Sequence, residues 1–215
     1  DAHALLYDRA WAREMVDLRG ARDFPEAVRR VARAVRDSPP NSWVFGWGWD
    51  QNDWPDALYP RTAVLQPVSA GRAICLFSRD GHAVLLNSQA LNQAELYDQT
   101  PDPPGGRLVR AHENPTGCLI DRAMDDLWKL LPDPTPAQVE ARFRAGADSA
   151  VAEGWTAVRE MGLNDLRLAV LGDMAARGRK GRLPLRLYGV LGSDVLSDTT
   201  ALTRPPRTWR RPAGC

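Results

Sequence analysis

Cysteine is scarce in this sequence and poorly placed for cross-linking. The three cysteines, Cys75, Cys118 and Cys215, are odd in number and form no CxxC pair. That excludes a disulfide framework and a cysteine zinc site. Lysine is rarer still, with only Lys129 and Lys180, so almost all the basic charge is arginine. No run approaches the ~20 apolar residues of a membrane helix. No phosphate-cradling glycine loop, GxSxG elbow, HExxH motif or internal repeat is present. An excess of charge of one sign is absent too: 28 basic and 27 acidic residues leave a net +1, which argues against a nucleic-acid or membrane-surface partner.

What remains is ample for a folded core. The chain has 215 residues, 44% of them hydrophobic, enough for one sizeable domain or one domain with an insertion. No signal peptide is visible, and the chain begins at Asp1, so the cytoplasmic location expected for it rests on little.

Several elements are legible. Asp23-Phe-Pro-Glu26 predicts a helix start with a capping box, with Phe24, Ala27, Val28, Val31, Ala32 and Val35 on one face and Pro39-Pro40 as its stop. Trp43, Phe45, Trp47 and Trp49 alternate as in a strand, and Gly46 and Gly48 leave the other face bare for close approach. Ala73–Phe77 and Ala83–Leu86 flank Asp80-Gly81, which predicts a hairpin with Arg79 facing His82. Asn87 or Ser88 caps a short helix. Pro and Gly over 100–106 predict a rigid turn, and 108–110 with 112–117 a second hairpin. Residues 120–131 read as an amphipathic helix. Thr135-Pro-Ala-Gln138 opens a long helix ended by Gly154. Strand 155–158, helix 165–177 and strand 185–191 form a βαβ unit. Beyond Ser193 the pattern decays into an irregular, arginine- and proline-rich tail.

The chemistry-bearing residues are few. His3 lies near the start, but one ligand is not a site, because zinc takes three or four. His112 sits in a polar loop and reads as solvated. Arg79, Asp80 and His82 place a guanidinium, a carboxylate and an imidazole at one turn. They could bind a polar substrate group or move a proton, or the turn could simply leave them exposed. Trp47, Trp49, Asp50 and Trp54 could line an apolar cleft, or form plain core.

Seven segments, DAHALL, VDLRG, WVFGWGWDQNDWP, SRDGHAVLLNSQAL, PDPPGGRLVR, NPTGCLIDRAM and GWTAVREMG, taken in order over roughly residues 1–190, resemble amidohydrolase family 3. This is the YtcJ-like group that includes the N-substituted formamide deformylases. The resemblance implies an α/β fold: the N-terminal part of a metal-dependent hydrolase (β/α)8 TIM barrel with an inserted α+β region at about 40–125. It implies hydrolysis of a carbon–nitrogen bond in a small amide-type molecule by metal-bound hydroxide. The partner would be that small molecule, with no nucleic acid and no membrane.

The resemblance also implies site residues. His3 matches the first member of the family's His-x-His pair, and Leu5 stands at the second. The family's later ligands are a lysine, two histidines and an aspartate on strands this sequence does not reach. Gly192-Ser193-Asp194 comes too early to be that aspartate. Glu160 stands where such proteins usually carry Asp before Met-Gly. His82, Asp80, Arg79, Trp49 and Asp50 would face substrate from the insertion, and no catalytic residue is assigned. Complete relatives would hold a divalent metal, with zinc expected; this chain is expected to hold none stably. The tail over 191–215 reads as out-of-frame translation or an early stop, so an inactive fragment is expected. The alternative is a non-catalytic binding module derived from an amidohydrolase.

Overall fold

The computed structural model describes residues 1–96, 100–111, 114–125 and 127–192. His112, Ser193, Asp194 and the tail lie outside the described residues. The chain divides into two compact units, residues 12–132 and residues 1–11 with 133–215. The chain runs α1 (Leu6–Glu14), β1 (Val16–Asp17), α2 (Phe24–Asp37), β2 (Trp43–Trp49), β3 (Ala73–Ser78), β4 (Ala83–Leu86) and α3 (Ser88–Gln93). It continues through β5 (Gly106–Ala111), β6 (Asn114–Asp121), α4 (Pro136–Ala152), β7 (Ala157–Leu163), α5 (Asp165–Ala176) and β8 (Arg186–Leu191). No helix among the described residues is long and apolar enough to cross a membrane.

The unit spanning 12–132 is built on a six-stranded sheet in the order β1-β2-β3-β4-β6-β5. The first three strands are parallel and the rest antiparallel. Helix α2 begins as its sequence predicts, with the Asp23 carboxylate accepting from the Glu26 amide at 2.7 Å. The return arm differs from a capping box: Glu26 accepts from the Arg22 amide and guanidinium. The apolar stripe Ala27, Val28, Val31 and Val35 is buried and shares one core with Leu18, Val44, Ile74, Leu76 and Leu85. The bare face of β2 is used by its own neighbours. A Cβ on Gly46 would lie 2.7 Å from the Leu76 side chain, and one on Gly48 (φ +97°) would collide with Arg19.

Two expectations are corrected here. Residues 120–131 are not a helix. β6 runs on to Asp121 because Cys118, Leu119 and Ile120 pair with β4, while Leu119 and Ile120 also pair with β5. Two 3-10 turns, Arg122–Met124 and Leu127–Lys129, follow. Twofold pairing in a sheet outweighs a helical spacing of apolar residues. The β3–β4 hairpin forms, but its strands stop at Ser78 and Ala83, so Arg79 and His82 belong to a four-residue loop and turn to different partners.

In the other unit, the Thr135–Gln138 capping box starts α4, and Asn164 caps α5 by accepting from the Arg167 amide at 2.9 Å. Strands β7 and β8 pair in parallel, completing the expected βαβ unit. β7 is longer than its apolar residues suggest: it continues through Arg159 and Glu160 to Leu163, while Trp155 lies exposed before it. Residues 1–4 run alongside β7. The Ala4 amide donates to the Arg159 carbonyl at 2.7 Å, and the Arg159 amide donates to Asp1 at 3.1 Å. Ala4 and Glu160 form a parallel bridge. Tyr7, Val139, Phe143, Leu163, Val170 and Met174 pack as one core cluster, and Leu6, Ala147, Ala150 and Val158 as a second.

Candidate functional site

The chemistry of each unit is built separately. In the unit holding the first eleven residues, His3 follows the bonds that tie Asp1 to β7. The terminal amine donates to the Ala157 carbonyl at 2.9 Å, and the His3 amide donates to the Asp1 carboxylate at 3.0 Å. His3 itself is exposed, as is Leu5 at 45%. Among the described residues no group of three or more His, Cys, Asp or Glu side chains could hold a metal ion. The donors among the described residues therefore do not fit the metal that the resemblance implies, since zinc takes at least three protein ligands.

Glu160 is the group whose environment the sequence did not disclose. It is fully buried, and its two carboxylate oxygens accept from the amides of Leu6 at 2.7 Å and Tyr7 at 3.2 Å. These are orphan donors at the start of α1, a natural seat for a carboxylate. Burial nevertheless dominates and pushes its carboxyl up to about 7. The two amide bonds and Arg167 oppose the rise, and Asp8 reinforces it. Charged and aromatic groups surround it. Arg167 pairs with Asp8 at 2.9 Å and lies 3.8 Å over the Tyr7 ring, while Arg142 donates to the Tyr7 hydroxyl at 2.6 Å. With both oxygens taken by backbone donors, Glu160 anchors a helix and offers little to a ligand. The one signal for it in the sequence was its place before Met-Gly.

In the unit spanning 12–132, the loop after β3 gathers Arg79, Asp80 and His82 as the sequence suggests. The Arg79 amide donates to the Trp49 carbonyl at 2.8 Å, which ties the loop to the end of β2. Its guanidinium lies 3.5 Å from Asp50 and also pairs with Asp53. Asp50 is further fixed by accepting from the Asn52 amide at 3.0 Å. Trp49 is 2% exposed and donates from Nε1 to the Leu76 carbonyl at 2.8 Å, stacked on Trp54. It supports this region from inside the core.

Asp80 organises the turn. It accepts from the Ser78 hydroxyl at 2.6 Å and from the His82 amide at 2.9 Å, with Gly81 between them at φ +76°. The Ser78 hydroxyl holds the Asp80 carboxyl below its usual range, against partial burial, and the His82 amide adds to the effect. The His82 ring lies with Nδ1 2.9 Å from Asp121. Sequence reasoning missed Asp121, which is 39 residues away and reaches His82 only through the pairing of β4 with β6. Cys75 and Cys118 are buried in this sheet. Desolvation lifts both thiols, Cys118 to about 12 and Cys75 well above its ordinary value, so neither is a nucleophile.

Comparison with known proteins bears on family and fold. A family model described as "Amidohydrolase family" matches residues 1–214. The chain is 33% identical over 164 residues to Protein LONG AFTER FAR-RED 3 of Arabidopsis thaliana, covering 75% of this chain and 28% of that protein. It is 29% identical over 126 residues to an N-substituted formamide deformylase of Arthrobacter pascens, covering 57% of this chain and 23% of that protein. Its fold matches the crystal structure of an uncharacterized metal-dependent hydrolase from Pyrococcus horikoshii OT3 with a TM-score of 0.68 at 21% identity, over 94% of this chain and 38% of that one. The chain thus spans under a third of the length of these two curated relatives.

Proposed function

The chain belongs to the amidohydrolase family, and on that premise we propose that it derives from a hydrolase of carbon–nitrogen bonds in small amide-type molecules. In such a protein a metal supplies the activated water. His3 would be one metal-ligand position, and residues of the inserted region would face substrate. His82, Asp80, Arg79 and Asp50 would contact substrate from that region, with Trp49 shaping it from behind. The observation that carries this reading is the cluster around the loop after β3: ion pairs, a carboxylate-organised turn and an oriented imidazole at one end of the sheet. The resemblance to a formamide deformylase points to an N-substituted formamide as the first substrate to try.

Among the described residues no group of three donors is placed to hold that metal. The purified chain, incubated with zinc and dialysed, is expected to retain less than one equivalent and to leave an N-substituted formamide unhydrolysed. One tightly held equivalent that disappears in His3→Ala would overturn this. A second reading is favoured by Leu5, exposed where the family has a histidine: a binding module that has dropped the chemistry. A monomer with a single sharp melting transition supports the module. An aggregating chain with exposed apolar surface supports the hydrolase reading.

A further inference from the structure

Asp121 is an outlier in its backbone. It sits at φ +51°, ψ −124°, which is open to glycine and strained for any residue with a Cβ. Its carboxylate does not cap the 3-10 turn it precedes. What the carboxylate does is meet His82. The Asp121 amide donates to the His82 carbonyl at 2.9 Å, and the Asp121 carboxylate lies 2.9 Å from the His82 ring at Nδ1. His82 is further held by its own amide, which donates to Asp80. His82 is held at three points, two on its backbone and one on its ring, yet the side chain is 74% exposed. An exposed pair of this kind adds little stability, so a strained aspartate kept at that position needs another explanation.

A carboxylate only accepts, so the ring nitrogen facing it carries the proton when the imidazole is neutral. We infer that Asp121 is a positioning residue for His82: it fixes the neutral ring as the Nδ1–H tautomer and presents Nε2 as an acceptor for a substrate N–H or O–H group. This deepens the substrate-facing role proposed above and rests on it for its purpose, but the tautomer itself does not depend on any turnover. The ligand class it selects is a hydrogen-bond donor, such as the N–H of a secondary amide or the hydroxyl of an alcohol. A bare carboxylate or other pure acceptor would be refused at that nitrogen.

The test uses the full chain labelled with 15N-histidine, without metal or substrate, at a pH well above the imidazole range. His82 is assigned by its loss in His82→Ala. The expected result is a protonated-type Nδ1 resonance and a lone-pair-type Nε2 resonance for His82. Asp121→Gly should shift the ring to the Nε2–H form while melting at or above the wild-type temperature, because glycine relieves the backbone. Asp121→Asn, whose side-chain oxygen still accepts, should keep Nδ1–H. Wild-type protein with the Nε2–H form, or Asp121→Gly with the ring unchanged, overturns the inference. So does Asp121→Gly melting well below wild type, which would make the carboxylate a stability element instead. Failure of the hydrolase reading would show in the zinc and turnover assays and leave these spectra untouched.

Discussion

The two units treat the edges of their sheets differently. In residues 12–132, β3, β4 and β6 each have a strand on both sides, and every residue of β3 and β4 is buried. In the other unit, β7 lies between residues 1–4 and β8, and it buries Val158, Glu160 and Leu163. β8 has one strand partner among the described residues, and its Tyr188 and Val190 are exposed. A parallel strand is normally covered on both faces, so β8 is a region where sequence looks like core and surroundings do not. The difference teaches that burial, and not apolar character, decides what a substitution does here.

The largest effect is expected where burial is complete. Leu85→Ala, at a fully buried site in the middle of β4, should lower stability by about 2–5 kcal/mol. Tyr188→Ala on β8, 53% exposed, should stay within about 0.5 kcal/mol. Urea unfolding followed by tryptophan fluorescence measures both, and equal losses would break the comparison.

Glu160 sharpens it next, because it is a buried charge on the best-covered strand of the less-covered unit. Its carboxyl is near 7 in the folded chain against 4.5 when unfolded. Between those values the folded state holds a proton that the unfolded state has lost. Stability should therefore fall as pH rises from about 4.5 to 7, by at most about 3 kcal/mol. Glu160→Gln should flatten that dependence in melting curves taken across the window; an unchanged slope would show that another group carries it.

A smaller loss is expected at Asn87, buried beside β3. Its side-chain oxygen accepts from the amides of Ile74 and Ala90, and its nitrogen donates to the Arg72 carbonyl. Asn87→Ala leaves those backbone groups unsatisfied and should lower stability by about 2 kcal/mol. Asn87→Asp should recover part of this, since it keeps both acceptor contacts.

Much of the fold was legible because its signals are local. The Asp23, Thr135 and Asn87 caps and the β3–β4 hairpin each rest on residues within a few positions of one another, and the βαβ unit on three consecutive elements. The elements that were misjudged depend on distant partners. Residues 118–120 become strand because β4 lies on one side and β5 on the other. Glu160 lies buried in β7, where amides more than 150 residues earlier donate to its carboxylate. The site follows the same rule. The Arg79-Asp80-His82 cluster could be read from four consecutive residues, whereas Asp121, which orients the imidazole, could be found only once β4 and β6 were paired.

The burial of Cys75 and Cys118 has a practical consequence. Leu86 pairs with Cys75 and Leu85 with Cys118, so one thiol lies on each side of β4. Both side chains are buried, so neither can meet a reagent in solution until the structure around it opens. In a Cys215→Ser background, the rate at which a thiol-directed dye attaches to the native chain becomes a clock for openings of the sheet interior. The two cysteines, useless as nucleophiles, are built-in reporters of how often that interior comes apart.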